Sequence, residues 1–120
     1  MNLLRHSLLL FTVFCFSCYP KIKIEGFDGD KWQQPIVTCQ ENKIDLAELI
    51  VSNQDNVLGK GQAEIKQFLG QPDEHELYRR NQKFFYYNLT AGDTCENLRV
   101  RRLSVLFDAL DRAKEVMVTE

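Results

Sequence analysis

Lys83-Phe84-Phe85-Tyr86-Tyr87-Asn88-Leu89 sets four aromatic side chains side by side, a density suited to a pleated surface. Along such a strand the side chains alternate, so Phe85, Tyr87 and Leu89 are expected to point inward and Phe84, Tyr86 and Asn88 outward. Upstream, Leu77 stands among charged and polar neighbours, and Asn81-Gln82 offers a tight reversal. The two runs therefore predict a hairpin. Downstream, Ala91-Gly92-Asp93-Thr94 makes a loop, residues 98–107 a third strand, residues 108–111 a turn and residues 113–118 a fourth strand. Arg101-Arg102 breaks the third strand's alternation: Leu98 and Val100 fall out of phase with Leu103, Val105 and Phe107. One extra residue at the arginine pair would restore the apolar face, which predicts a β-bulge there.

Ahead of the hairpin the apolar spacing changes to a helical one. Ile44, Leu46, Leu49, Ile50 and Val57 fall near one face of a 3.6-residue period, and Asn42 or Asp45 can accept the first free amide protons. Asn53, Asp55, Asn56 and Gly59-Lys60-Gly61 end that helix. A second, shorter one spans Gln62–Leu69, with Ile65, Phe68 and Leu69 on one side. Gly70 supplies the residue past its end and Pro72 prevents continuation. The expected fold class is α+β: two N-terminal helices packed on one face of a three- to four-stranded antiparallel sheet, in the order α-α-β-β-β-β.

At the amino terminus Arg5 and His6 precede Leu8, Leu9, Leu10, Phe11, Val13, Phe14 and Phe16. That apolar run is too short to span a bilayer and has the form of an export signal. Ser17 before Cys18 provides the small residue that a lipoprotein-processing peptidase requires, so residues 1–17 are expected to be removed and Cys18 lipidated. Ordinary secretion with cleavage near Cys18 and an uncleaved anchor are the alternatives. Acyl chains contribute about 0.8 kcal/mol of membrane affinity per buried CH₂, so several would hold the domain at a membrane permanently. Residues 19–34 are polar and turn-rich, with Pro20, Gly26 and Gly29 and no sustained apolar period. They read as a tether within a lipidated segment 18–38, ahead of a domain at 39–120. Phe27 and Trp32 interrupt that polarity and are expected to pin the tether to the domain, although an exposed Trp32 would suit an interface anchor.

Cleavage before Cys18 leaves 103 of the 120 residues, room for one domain, with 14 basic against 17 acidic side chains. That balance predicts no attraction to nucleic acid. Cys39 and Cys95 remain, and in an oxidising compartment two thiols most simply form one disulfide; two unrelated buried thiols are the alternative. A metal site is disfavoured, because there is no Cys-x-x-Cys and His75 is the one histidine left.

Several pieces together resemble a known family: Leu58-Gly59-Lys60-Gly61-Gln62-Ala63-Glu64-Ile65, Leu69-Gly70-Gln71-Pro72-Asp73, the aromatic strand from Phe84 to Tyr87, and Leu103-Ser104-Val105-Leu106-Phe107-Asp108. They look like the SmpA/OmlA (BamE-like) small outer-membrane lipoproteins over residues 57–118. The resemblance implies a lipid-anchored α+β module that helps scaffold the outer-membrane β-barrel assembly complex, without chemistry or cofactor. Cys39, Cys95, the Trp32 segment and the loop around Asp93 depart from the common pattern and look more like a Bacteroidetes-type branch. The β-lactamase inhibitor proteins resemble the same scaffold and bind an enzyme instead, so an inhibitor or sensor module acting on a periplasmic enzyme or cell-wall component is the alternative.

Among candidate sites, Asp73, Glu74, His75 and Glu76 set three carboxylates beside the sole remaining histidine. Consecutive residues leaving a Pro-initiated turn point in different directions, and no nucleophile motif accompanies them, so a solvated strand end is expected. Gly59-Lys60-Gly61 lacks the form of a phosphate loop and suits a turn. Asn88-Leu89-Thr90 matches a glycosylation acceptor but lies in a predicted strand. The stronger candidate is the uncovered sheet face, where Phe84, Tyr86, Arg79 or Arg80, Arg99 and Arg101 would gather to bind an envelope protein. Cross-strand stabilisation of the sheet is the alternative role for the same side chains.

Overall fold

The computed structural model describes residues 21–92, Cys95 and residues 100–120. The export signal, Cys18, Leu98, Arg99 and Asp93 lie outside the described residues. The described residues form three α-helices followed by a four-stranded antiparallel sheet: α1 (Gly29–Gln33), α2 (Ile44–Ser52), α3 (Gln62–Leu69), β1 (Glu74–Tyr78), β2 (Gln82–Asn88), β3 (Arg102–Phe107) and β4 (Ala113–Thr119). The strands lie in the sheet in chain order, so β1 and β4 are its edges.

Each helix is delimited by local chemistry. Asn42 Oδ1 accepts the Ile44 amide proton at 3.1 Å, which supplies the acceptor expected at the start of α2. Its buried face is Leu46, Ala47 and Ile50, and Asn53 closes it by donating Nδ2–H to the Leu49 carbonyl at 2.9 Å. A 3₁₀ turn, Gln54–Asn56, then delivers Val57 to the core. In α3, Ile65 and Leu69 are buried, and Gly70 follows at φ +81° with its N–H on the Lys66 carbonyl. A positive φ there suits glycine, which has no Cβ to clash.

The first helix, α1, was not expected. Asp28 caps it by accepting the Lys31 amide proton, and Trp32 is its buried residue. Ile22 and Ile24 are buried too, in one core with Leu46, Ala47, Ile50, Val57, Ile65, Leu69 and the strand residues Phe85, Tyr87, Leu89, Leu103, Val105 and Phe107. Residues 21–34 are therefore packed against the body rather than extended as a tether. The cause is that Ile22, Ile24, Phe27 and Trp32 together carry enough apolar area to dock, although no three of them keep a regular period.

The predicted facing of β2 holds: Phe85, Tyr87 and Leu89 join the core, while Phe84, Tyr86 and Asn88 do not. The hairpin turns one residue earlier than Asn81-Gln82. Its loop is Arg79–Asn81, with Arg80 and Asn81 both at positive φ, and Tyr78 is paired with Gln82. No extra residue lies at Arg101-Arg102. From Asn88↔Arg102 to Lys83↔Phe107 the ladder runs without interruption, and the irregularity falls instead between β3 and β4, where Leu106 pairs with Glu115 and Phe107 with Ala113. That shift lets the Gly59-Lys60-Gly61 turn pair with the start of β4: Gly59 N–H donates to the Ala113 carbonyl and Ala113 N–H to the Lys60 carbonyl, both at 2.7 Å. The glycine turn is thus a backbone partner for the sheet.

Cys39 and Cys95 form a disulfide with their Cα atoms 5.6 Å apart. Beside it, Lys43 N–H donates to the Leu89 carbonyl at 2.8 Å, and Asn42 bridges to Thr90. The link fastens the lead-in to α2 onto the loop that follows β2. At the β3–β4 turn Asp108 Oδ1 accepts the N–H groups of Leu110 at 2.9 Å and Arg112 at 3.0 Å. Those bonds, Arg112's first, hold the Asp108 carboxyl below its usual range.

Candidate binding face

The register assigns the face of the sheet opposite Phe85 and Tyr87. Reading across the four strands, one row is Glu74, Tyr86, Ser104 and Met117, and the next is Glu76, Phe84, Leu106 and Glu115. Asn88, Arg102 and Thr119 flank the first row, and Tyr78 and Gln82 flank the second. A central aromatic and apolar patch is thereby framed by carboxylates.

Its rings are organised. Tyr78 meets Phe84 edge-on at 5.2 Å between centroids, and Phe84 stacks on Tyr86 at 5.5 Å with planes 11° apart. Arg102 covers the other end, its guanidinium carbon 4.0 Å from the Tyr86 centroid, while its Nη1 lies 3.2 Å from Glu74 Oε2. Tyr86 donates its hydroxyl proton to Glu76 Oε2 at 3.1 Å. Burial, and then that hydrogen bond, raise the Tyr86 phenol above its ordinary pKa. Tyr86 is only 9% exposed, whereas Tyr78 is 46% and Met117 37% exposed. Phe84 is half-buried between them.

Phe84 and Tyr86 thus lie where the alternation of β2 set them. Arg101 does not join them. Its amide proton goes to Thr90 Oγ1 at 3.1 Å, its carbonyl accepts from Leu89 at 2.9 Å, and the arginine on the face is Arg102. The correction follows from the absent bulge: counting back from Leu103, Val105 and Phe107 by simple alternation puts Arg102 outward. Arg79 and Arg80 stand in the exposed hairpin loop, and Arg99 lies outside the described residues. Trp32 is withdrawn from the surface altogether, being 3% exposed with its Nε1–H donated to the Leu69 carbonyl at 2.9 Å.

No family model, curated protein or solved structure matches this chain.

The acidic run is split by the pleat. Glu74 and Glu76 belong to the outward face, whereas His75 pairs with Phe85 on the opposite one. Asp73 Oδ2 accepts the Asn88 amide proton at 2.7 Å. Among the described residues, no group of three or more His, Cys, Asp or Glu side chains is arranged to hold a metal ion. A separate polar cleft lies where Trp32, Lys43, Asp73 and Tyr87 approach one another. Lys43 Nζ stands 5.4 Å from the Trp32 ring centroid, and burial lowers its pKa against the opposing pull of Asp73. Tyr87 donates its hydroxyl proton to the Gly70 carbonyl at 2.9 Å, and burial raises its pKa strongly. These groups tie the end of α3 to β2. Nothing in the sequence marked Lys43 or Tyr87 as neighbours: the backbone bond from Lys43 to Leu89 brings Lys43 to the end of β2, and the Trp32 ring of α1 lies beside both side chains.

Proposed function

We propose that this chain is a non-enzymatic, lipid-anchored module of the bacterial cell envelope whose outward sheet face binds another envelope protein. Removal of residues 1–17 and acylation of Cys18 would attach it to the outer membrane, facing the periplasm, with the β-barrel assembly complex as the first candidate partner. In this reading α2 and α3 cover the other face of the sheet and leave the aromatic face for docking. The observation that carries the proposal is the Tyr78, Phe84, Tyr86 and Arg102 array with Met117 beside it, since aromatic and arginine side chains dominate interface hot spots and Tyr78 and Met117 remain exposed. The disulfide between Cys39 and Cys95 supports an oxidising compartment.

The test is site-specific photo-crosslinking in intact cells. A photoreactive phenylalanine at Tyr78 or Met117 is expected to capture an envelope protein, and the same residue at Glu48, on α2, is expected not to. Recovery of a barrel-assembly subunit supports the scaffold role. Capture of a soluble periplasmic enzyme would replace that role with inhibition or sensing, and no adduct from either face position would end the docking proposal. In parallel, Cys18→Ser is expected to abolish palmitate incorporation.

A further inference from the structure

The row Glu76, Phe84, Leu106, Glu115 crosses all four strands. Three inter-strand spacings of about 4.8 Å separate its ends, so the backbone positions that carry the two glutamates stand about 14 Å apart with an apolar pair between them. Both glutamates are exposed. Tyr86 engages one of the two carboxylate oxygens of Glu76, and among the described residues the ion pair on this face joins Arg102 to Glu74.

The adjoining row already displays how this surface accommodates a cation. Arg102 lies on the ring of Tyr86 and reaches Glu74 at the same time, a combination that a planar guanidinium satisfies and a compact ammonium does not. Glu76 beside Phe84 repeats the pairing of carboxylate with ring. An extended chain presents alternate side chains on one side at about 6.8 Å intervals, so its positions i and i+4 span about 14 Å with i+2 midway.

Taking the docking role above as given, we propose that the partner contributes an extended segment that crosses the strands with arginine at positions i and i+4 and an apolar residue at i+2. The two arginines meet Glu76 and Glu115, and the apolar side chain rests on Phe84 and Leu106. Charge and spacing, rather than a deep pocket, then set the specificity.

The full-length protein in dodecylmaltoside would be titrated with acetyl-Gly-Arg-Ser-Leu-Ser-Arg-Gly-amide, following the aromatic resonances of Tyr78 and Phe84 by NMR. Two other peptides would be compared: one with both arginines changed to lysine, and the permuted acetyl-Gly-Arg-Arg-Leu-Ser-Ser-Gly-amide. Glu76→Gln and Glu115→Gln are each expected to weaken binding of the first peptide about threefold, and together about tenfold, in keeping with exposed ion pairs. Both comparison peptides are expected to bind more weakly than the first. Absence of binding, equal binding of either comparison peptide, or a double variant that binds as well as the parent would overturn the arginine pattern. If Tyr78 still captures a cellular partner in the Glu76→Gln, Glu115→Gln background, docking stands and this inference alone falls; loss of capture in the parent chain removes docking itself.

Discussion

The indole of Trp32 donates to the carbonyl oxygen of Leu69 at 2.9 Å across 37 residues of chain. Leu69 is the last residue of α3, and the next carbonyl, that of Gly70, accepts the Tyr87 hydroxyl proton. Two carbonyls that a helix end leaves without intrahelical partners are thus satisfied by side chains from α1 and β2. Trp32→Phe, which keeps most of the apolar volume, is expected to cost about 1–3 kcal/mol through the orphaned carbonyl, and Trp32→Ala about 3–5 kcal/mol. Urea denaturation measures both. An unchanged midpoint in Trp32→Ala would mean that the segment before Cys39 adds nothing to the fold.

Gly70 and Gly59 provide a controlled comparison. Both have positive φ, +81° and +85°, but a Cβ at Gly70 would lie 3.1 Å from Gln33 Oε1 whereas one at Gly59 meets nothing within 4 Å. Gly59→Ala is expected to lose about 1–2 kcal/mol of backbone preference. Gly70→Ala should lose more, both because φ +81° with ψ −173° is a backbone region essentially restricted to glycine and because of the close contact, and Gln33→Ala in the same chain should recover the contact's share alone. A Gly70→Ala loss that Gln33→Ala leaves unchanged would show that Gln33 yields freely.

Tyr87 predicts an alkaline limit to stability. Burial raises its folded-state pKa far above the ordinary value of 10.0, so above that value the unfolded chain releases a proton that the folded chain retains. Stability from this group is therefore complete below about pH 10 and declines as pH rises beyond it. Denaturation midpoints of the parent should fall steeply above that pH, and those of Tyr87→Phe less so, although that variant starts lower because the Gly70 carbonyl loses its donor. Identical slopes would contradict the assignment.

The Cys39–Cys95 bond closes 56 residues of sequence separation. In the chain-entropy model a loop of that length contributes about 4 kcal/mol, so Cys39→Ser with Cys95→Ser is expected to lower the urea midpoint by the equivalent amount. Peptide mapping of exported protein without reductant should recover the two cysteines joined.

Where apolar residues recur regularly, the chain could be read directly: α3 has the bounds that its spacing and Gly70 announce, and β2 presents the rings that alternation assigns. Two features resisted. Ile22 and Ile24 sit among lysines and a glutamate with no continuing period, so their burial depends on surfaces that only the assembled helices and sheet create. Alternation counted through Leu98 and Val100 assigns the wrong phase to Arg101 and Arg102, because β3 begins at Arg102. Pleating alone, counted from Leu103, places Arg102 on Tyr86. The aromatic half of the candidate face was therefore legible, and its cationic half was displaced by one residue.

Burial of Ile22 also bears on reach. For a chain held by lipid at Cys18, three residues separate the attachment point from buried Ile22, and four steps of at most about 3.5 Å limit that leash to about 14 Å. Such a body patrols a shallow layer against the bilayer and meets what lies in or just above that plane, because the slack that a free run to Gln34 would have provided is taken up by α1 and the two isoleucines.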